Sequence, residues 1–478
     1  VALAAVLAAF AGQYGYHRDE LYFLACGRHL AWGYPDQPPF VPLIARLMSD
    51  LAPGSLTVLR LPSALAAGAL VLLTALLTRE LRGRAAAQLL ACGVIALAPV
   101  ITGAGHLLST TSFSLPVAAL LCWLVTRILR TGEQRLWLVV GVTAGAGLLD
   151  TDLTAFLLAG IVAGLVIVGP RLPLRSWWLY AGAVIALAMW SPYLAWQAGH
   201  GWPQLAVARS IAAGGSGTSA PWWLIVPEQL VLVPLFFAPV WITGLIRLLR
   251  DPELRWCRAL GVAYPVLAVV FMATGGKPYY LAVMFPVLLA AGAQPAADWV
   301  ANAHRRLRPG LLCAGLALSA AALPASLPLV PVTEVHDTPL VKLNYDAGES
   351  IGWPAFVAEI AQAYRSLPAA RRASAVVLAS NYGEAGAVDR FGPAKGLPPA
   401  YSGHDGFWYW GPPPAQAATV VAVGFGRDQL GFCGTVARAA TLDNHLDVAD
   451  DEQGQPVWIC TRLRRPWQAL WPSLRNLG

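Results

Sequence analysis

The sequence predicts a polytopic α-helical membrane protein with a small α/β domain at its C-terminal end. Three observations predict it. The 478 residues are 57% hydrophobic and only 12% charged, with a mean hydropathy of +0.55, too apolar for a soluble chain of this size. A bilayer-spanning helix needs roughly 20 apolar residues, and one stretch after another approaches or reaches that length. Beyond about residue 330 the hydropathy drops and turn residues multiply.

Residues 1–10 read as the tail of a trimmed first span rather than as a signal peptide, because no small-residue cleavage site followed by a soluble domain is visible. Further spans read at 59–77, 88–104, 113–125, 136–149, 153–168, 177–193, 222–245, 259–274, 279–296 and 311–330. The pattern amounts to about eleven spans. Residues 1–330 are the expected membrane domain and 331–478 the α/β domain. The first loop, 13–57, is too long and too patterned for a simple connector. Its "DELYFLACGRHLAW" and "VPLIARLMSDLA" read as two short amphipathic helices split by the proline-rich "YPDQPPF". In the second, Val41, Ile44, Leu47, Met48 and Leu51 share a face, as in helices lying in the membrane interface. A second long loop, 195–221, ends in "AAGGSGTSA".

Orientation follows from the arginines of the short loops. One set of loops holds fifteen, from Arg79, Arg82 and Arg84 to Arg305, Arg306 and Arg308. The alternate set, up to residue 330, holds Arg18, Arg28, Arg46, Arg60, Arg209 and Lys277. The richer set is therefore cytoplasmic, and residues 13–57 and the C-terminal domain are extracytoplasmic. The net charge of +7 is mostly this topology signal. Nucleic-acid binding needs basic residues clustered on a soluble face, and none are seen.

In the C-terminal part, "SAVVLAS", "ATVVAVGFG" and "PVWICTRL" read as strands and "EAGAVDRFG" as a helix. No GxGxxG follows a strand, which argues against a dinucleotide site. Cys26, Cys92, Cys122, Cys257 and Cys313 lie in or near spans without metal spacing and read as packing residues. Cys433 and Cys460 both fall in the exported part, as a disulfide or as two buried thiols.

The chemistry concentrates at "YHRDELYF". Residues 1–16 carry no charged side chain, and His17, Arg18, Asp19 and Glu20 then follow together. Charges at the edge of a span are costly, which makes them functional candidates. Adjacent carboxylates point about 100° apart on a helix. One is expected to project into a cavity and the other to be held by Arg18 or Arg28. The free one suits a general base for a hydroxyl proton. Lys277, in "GGKPYYLAVMFP", is the lone lysine of the first 330 residues. With Tyr279 and Tyr280 it can hold a phosphate at headgroup depth. Trp196 and His200, in "SPYLAWQAGHGWPQL", suit a sugar ring, and His106, Asp150 and Asp152 add polar groups. The spacing of Asp150 and Asp152 serves a cation only weakly, and no metal is expected.

These pieces together resemble the bacterial family 39 glycosyltransferases of the GT-C superfamily, relatives of the protein O-mannosyltransferases and the lipid A aminoarabinose transferases. The resemblance spans nearly the whole chain. It rests on the Asp19–Glu20 pair, "DQPPF", "SPYLAWQAGHGWP", "GGKPYYLAVMFPVLLAAG", "NYGEAGAVDRFGP" and "GFWYWGPP". It implies a GT-C fold and an inverting glycosyltransferase on the outer face of a bacterial cytoplasmic membrane. The implied donor is a polyprenyl-phosphate sugar and the acceptor a hydroxyl of a cell-envelope glycan, lipid or protein, with no cofactor required. Carried over by position, Asp19 is the base and Glu20 its acidic partner. Arg18, Arg28, Lys277, Tyr279 and Tyr280 would bind the donor phosphate. His17, Asp36, Gln37, His106, Asp150, Asp152, Trp196 and His200 would bind sugar or acceptor. The chain departs from its relatives at Thr110-Thr111-Ser112, where many have Thr-Asp-Pro. It has no lysine near Asp150–Asp152, and Gln37 stands where the aminoarabinose transferases tend to have lysine. A polyprenyl-lipid flippase or a non-catalytic lipid-binding envelope protein are the other readings.

Overall fold

The computed structural model describes residues 1–302 and 306–478. Arg305, one of the fifteen loop arginines, lies outside the described residues. The first two thirds is a helical bundle: α1 (Ala2–Phe10), α2 (Arg18–Arg28), α3 (Phe40–Leu51), α4 (Leu56–Glu80), α5 (Ala85–Ala96), α6 (Pro99–His106), α7 (Thr110–Thr131), α8 (Leu136–Leu148), α9 (Leu153–Val168) and α10 (Trp177–Gly199) lead it. Helices Ala238–Arg250, Arg258–Thr274, Phe285–Ala301 and Leu307–Ala321 complete it.

Local chemistry sets the helix ends. The Ser55 hydroxyl accepts from the Val58 N–H to start α4. Ser109 and Ser112 cap α7 reciprocally, and Gly132, at φ 77°, ends it. Thus the Thr110–Ser112 stretch opens this helix, with Ser112 taking part in its cap. Small residues let the helices approach closely, as expected where lipid supplies no hydrophobic drive. Gly244 and Gly292 face each other across Ala238–Arg250 and Phe285–Ala301, where an added Cβ would strike the opposite backbone. One apolar core runs through the bundle, from Leu7 to Leu327.

Among the described residues six helices are long and apolar enough to cross a membrane, or seven if the pair α5 and α6, bent by 59°, counts as one span. The sequence pattern led to about eleven. The difference lies in segments too short or too broken: α1 has 9 residues, α8 and α9 are short apolar helices, and the stretch 222–245 is interrupted at 225–228 and 233–234.

The C-terminal part holds a five-stranded sheet of order β2-β1-β3-β5-β4: β1 (Ala375–Ala379), β2 (Ala400–Ser402), β3 (Thr419–Val423), β4 (Cys433–Thr441) and β5 (Pro456–Leu463). β1 pairs parallel with β2 and β3, and β5 pairs antiparallel with β3 and β4. The helix Tyr382–Phe391 follows β1. Three of the strands and this helix are those read from the sequence. β2 is too short to show a pattern. β4 is an edge strand, exposed along most of its length, and lacks an apolar run. Cys433 and Cys460 form a disulfide across β4 and β5, their Cα atoms 5.7 Å apart.

Both short helices of the 13–57 loop are present. α3 leaves Leu43, Leu47 and Leu51 exposed. α2, expected to lie in the membrane interface, is covered by protein. It is buried along Glu20–Phe23 and Ala25–Gly27, under the helix Tyr382–Phe391. A second core joins Leu21, Tyr22, Val41 and Leu108 to Ala385, Val388 and the β1 side chains Val377 and Ala379. The first loop and the C-terminal sheet therefore share one hydrophobic interior.

Candidate active site

The four ionisable residues at 17–20 open α2. His17 is the N-cap: its Nδ1 accepts from the Asp19 N–H at 3.2 Å, and the Glu20 carboxylate accepts from the His17 N–H at 2.9 Å. Acidic groups in a first turn also complement the helix dipole. Local capping thus explains why polar residues cluster here, and the two carboxylates leave the turn in different directions.

Glu20 turns inward and is fully buried. Its oxygens accept from Arg60 Nε at 2.8 Å and Nη2 at 2.7 Å, and from the Leu108 N–H at 2.9 Å. Burial pushes its carboxyl up, but the Arg60 guanidinium outweighs that and holds it below the ordinary carboxylate range. The expectation that Arg18 or Arg28 holds this carboxylate is corrected: Arg60, from α4, holds it. With both oxygens engaged in the interior, Glu20 does not reach a surface where a substrate hydroxyl arrives, so its assignment as a catalytic residue is corrected to an anchoring one. His106 belongs to the same anchor, its Nε2 3.1 Å from Arg60 Nη1.

Asp19 turns outward, its side chain 39% exposed. Oδ1 accepts from the Tyr382 hydroxyl at 2.8 Å. Among the described residues Oδ2 accepts no hydrogen bond, and His17 Nδ1 lies 3.9 Å from it. His17 Nε2 lies 3.6 Å from Asp346 Oδ1. Burial lowers the His17 pKa, but Asp346 with Asp19 outweighs it and the net shift is upward. Burial raises Asp346, and His17 and Lys277 reverse that to a net lowering. Lys277 Nζ donates to Ser216 Oγ at 2.8 Å, from the glycine-rich loop, and lies 5.9 Å from the Tyr279 ring centre. Tyr280 packs edge-on to Tyr279 at 5.1 Å. The fold thus strings Asp19, His17, Asp346 and Lys277 along one wall. Beside it a small open cleft is lined by Tyr14, His106, Leu327, Asn344, Asp346 and Ser350.

Arg18 and Arg28, expected at the donor phosphate, are taken by carboxylates of the C-terminal part. Arg18 Nη1 donates to Glu349 at 3.0 Å, Tyr345 at 3.0 Å and Asp451 at 2.7 Å. Arg28 Nη2 donates to Asp389 at 2.9 Å. Both guanidiniums tie α2 to its cover.

The remaining candidates gather on the other flank of α2. Asp36 accepts from the Tyr22 hydroxyl at 2.8 Å, and burial pushes its carboxyl up to about 7. Asp152 accepts from Tyr193 at 3.3 Å, and burial raises it to about 6. Gln197 donates to Tyr193 at 3.1 Å and to the Tyr34 carbonyl at 2.9 Å. Both carboxylate oxygens of Asp150 and both amide atoms of Gln37 are buried with no partner among the described residues. Trp196 stacks on His200 at 4.1 Å, and Tyr409 closes on both rings at 5.8 and 5.6 Å. This flank is a buried cluster of polar groups beside stacked aromatic rings, linked to the first by Tyr22, which stacks on Tyr382 at 4.7 Å.

Arg60, Asp346 and Tyr382 were not singled out in the sequence. Arg60 had a signal, an arginine at the start of an apolar span. Tyr382 lies in "NYGEAGAVDRFGP", one of the stretches on which the resemblance rests, and Asp346 acquires meaning only by contact.

Residues 36–196 match the family described as dolichyl-phosphate-mannose-protein mannosyltransferase. The crystal structure of ArnT from Cupriavidus metallidurans bound to undecaprenyl phosphate superposes with a TM-score of 0.60 at 16% identity, over 96% of each chain. The apo state of that protein superposes with a TM-score of 0.58 at 14% identity, again over 96% of each chain. No curated protein matches the chain in sequence. The family match covers the segment carrying Asp36, Gln37, Asp150 and Asp152, and the fold of the whole chain is similar to that of ArnT over nearly its full length.

Proposed function

We propose that the protein transfers a sugar, with inversion, from a polyprenyl-phosphate donor to a hydroxyl of a cell-envelope acceptor at the outer face of the cytoplasmic membrane. One observation carries this reading. Of the paired carboxylates, only Asp19 keeps an oxygen without a partner among the described residues, on the wall that also holds Lys277. The similar ArnT fold is one that holds undecaprenyl phosphate.

Asp19 Oδ2 takes the proton of the acceptor hydroxyl as that oxygen attacks the anomeric carbon. The bond from that carbon to the phosphate oxygen breaks on the opposite face, and the polyprenyl phosphate leaves with the bonding pair. Its charge needs donors already in place. Lys277 exchanges Ser216 for a phosphate oxygen, with Tyr279 and Tyr280 beside it. The flank of Asp36, Gln37, Asp150 and Asp152 offers buried polar groups for sugar hydroxyls, and Trp196 and His200 an aromatic face. The Cys433–Cys460 disulfide supports an oxidising compartment for the C-terminal part, as the arginine asymmetry does.

The test uses the purified full chain with undecaprenyl-phosphate mannose and undecaprenyl-phosphate aminoarabinose as donors, an envelope extract as acceptor, and mass spectrometry of the products. Asp19→Asn is expected to lower turnover by about 100-fold or more, and near-normal turnover removes the base role. Tight binding of undecaprenyl phosphate with no transfer by the unaltered chain would favour a lipid-binding protein.

A further inference from the structure

We propose that Tyr382, from the C-terminal part, is a positioning residue for Asp19: its hydroxyl fixes one carboxylate oxygen so that the other faces the acceptor. The inference rests on Asp19 as the base and extends the reacting site beyond the membrane bundle.

The contact joins residues 363 apart in sequence at 2.8 Å. An aspartate in a first helical turn is otherwise free to swing about its terminal bond, whose rotation is broad. Here Tyr382 removes that freedom, and its own position is heavily determined. Its ring lies between Tyr22, stacked at 4.7 Å, and His404, at 4.8 Å. The Arg18 guanidinium sits 5.3 Å from the ring centre. Its backbone N–H donates to His404 Nδ1 at 3.3 Å. It is the first residue of a helix whose start is held by a reciprocal cap between Asn381 and Glu384.

The helix is also shaped to reach Asp19. A Cβ at Gly386 would lie 2.9 Å from the Leu21 backbone, and one at Gly383 3.1 Å from Arg18 Cβ. Glycine at both places brings the helix against α2. Arg18, bonded to Glu349 and Asp451, latches the approach from beside it. Tyr22, the other phenol nearby, is committed to Asp36, which leaves Tyr382 to Asp19. Fixing a reacting group in one orientation lowers the barrier without tightening donor binding. The hydroxyl therefore bears on turnover and leaves donor affinity alone.

The experiment compares Tyr382→Phe with the unaltered full chain in two measurements. The first is transfer from undecaprenyl-phosphate mannose or undecaprenyl-phosphate aminoarabinose. kcat is expected to fall about 10-fold or more, as for a lost hydrogen bond to a charged group, with the donor KM within about 2-fold. The second is labelling of Asp19 by a water-soluble carbodiimide, read by peptide mass spectrometry. It is expected to quicken several-fold once the hydroxyl no longer shields the carboxylate. An unchanged kcat, a KM that rises as much as kcat falls, or an unchanged labelling rate would each overturn the inference. If the unaltered chain transfers from neither donor, the transferase reading fails, and the labelling still decides whether Tyr382 holds Asp19.

Discussion

Replacing Glu20 by alanine strands the Arg60 guanidinium in a sealed interior. Arg60 is 1% exposed and meets Glu20 in a two-pronged pair. Its other donors reach the Ala11 and Gly15 carbonyls at 2.8 and 2.7 Å. Removing one partner of such a pair costs about 3–5 kcal/mol, because the remaining charge stays buried without compensation. Glu20→Ala is therefore expected to lower thermal stability strongly in an unfolding scan, whereas Asp19→Asn leaves stability close to unaltered. The contrast separates two neighbours that a turnover assay alone would score alike. The "HRDE" cluster was legible as a candidate site from its place after a chargeless run. Which carboxylate is free was not legible, since the answer depends on a guanidinium 40 residues away.

The pairing of α2 with the helix Tyr382–Phe391 turns on the small residue at 386. Gly386→Val would push side-chain atoms into the Leu21 backbone. Overpacking of this kind costs about 1–3 kcal/mol. The expected outcome is faster proteolytic cleavage within residues 331–352 and loss of transfer, with the disulfide still intact by mass spectrometry. Unchanged proteolysis would show that this approach does not hold the C-terminal part in place. The elements themselves were readable where the chain carries a period or an apolar run: α3, α4, α7, β1, β3 and β5. The misreadings have a common cause. α2 shows the amphipathic pattern of an interfacial helix, and a polar-flanked apolar face reads the same whether lipid or protein covers it. β4 pairs with β5 through its backbone, and its exposed side chains leave no trace of that.

Across the whole molecule the membrane bundle and the C-terminal sheet meet through one apolar interior, in which Tyr16, Tyr22 and Val41 join Phe356, Val377 and Val421. The Cys433–Cys460 bond closes a loop of 27 residues at the far edge of that sheet, and such a crosslink contributes about 2–4 kcal/mol. Replacing both cysteines by serine is expected to lower the temperature at which transfer is lost, with reductant reproducing the shift in the unaltered chain and adding nothing to the variant. Equal heat resistance would show that the sheet edge is uncoupled from the site. Composition and periodicity alone established an apolar helical bundle, its arginine asymmetry, an α/β segment after it and a polar cluster at the start of α2. Those properties are local, because helix formation and membrane preference are sums over neighbours in the chain. Folding decided the rest: that Arg60 claims Glu20, that Arg18 and Arg28 pair with carboxylates of the C-terminal part, and that Tyr382 reaches Asp19. Charges and hydrogen bonds act over a few ångströms of space, and no spacing in the chain encodes which distant residue arrives there.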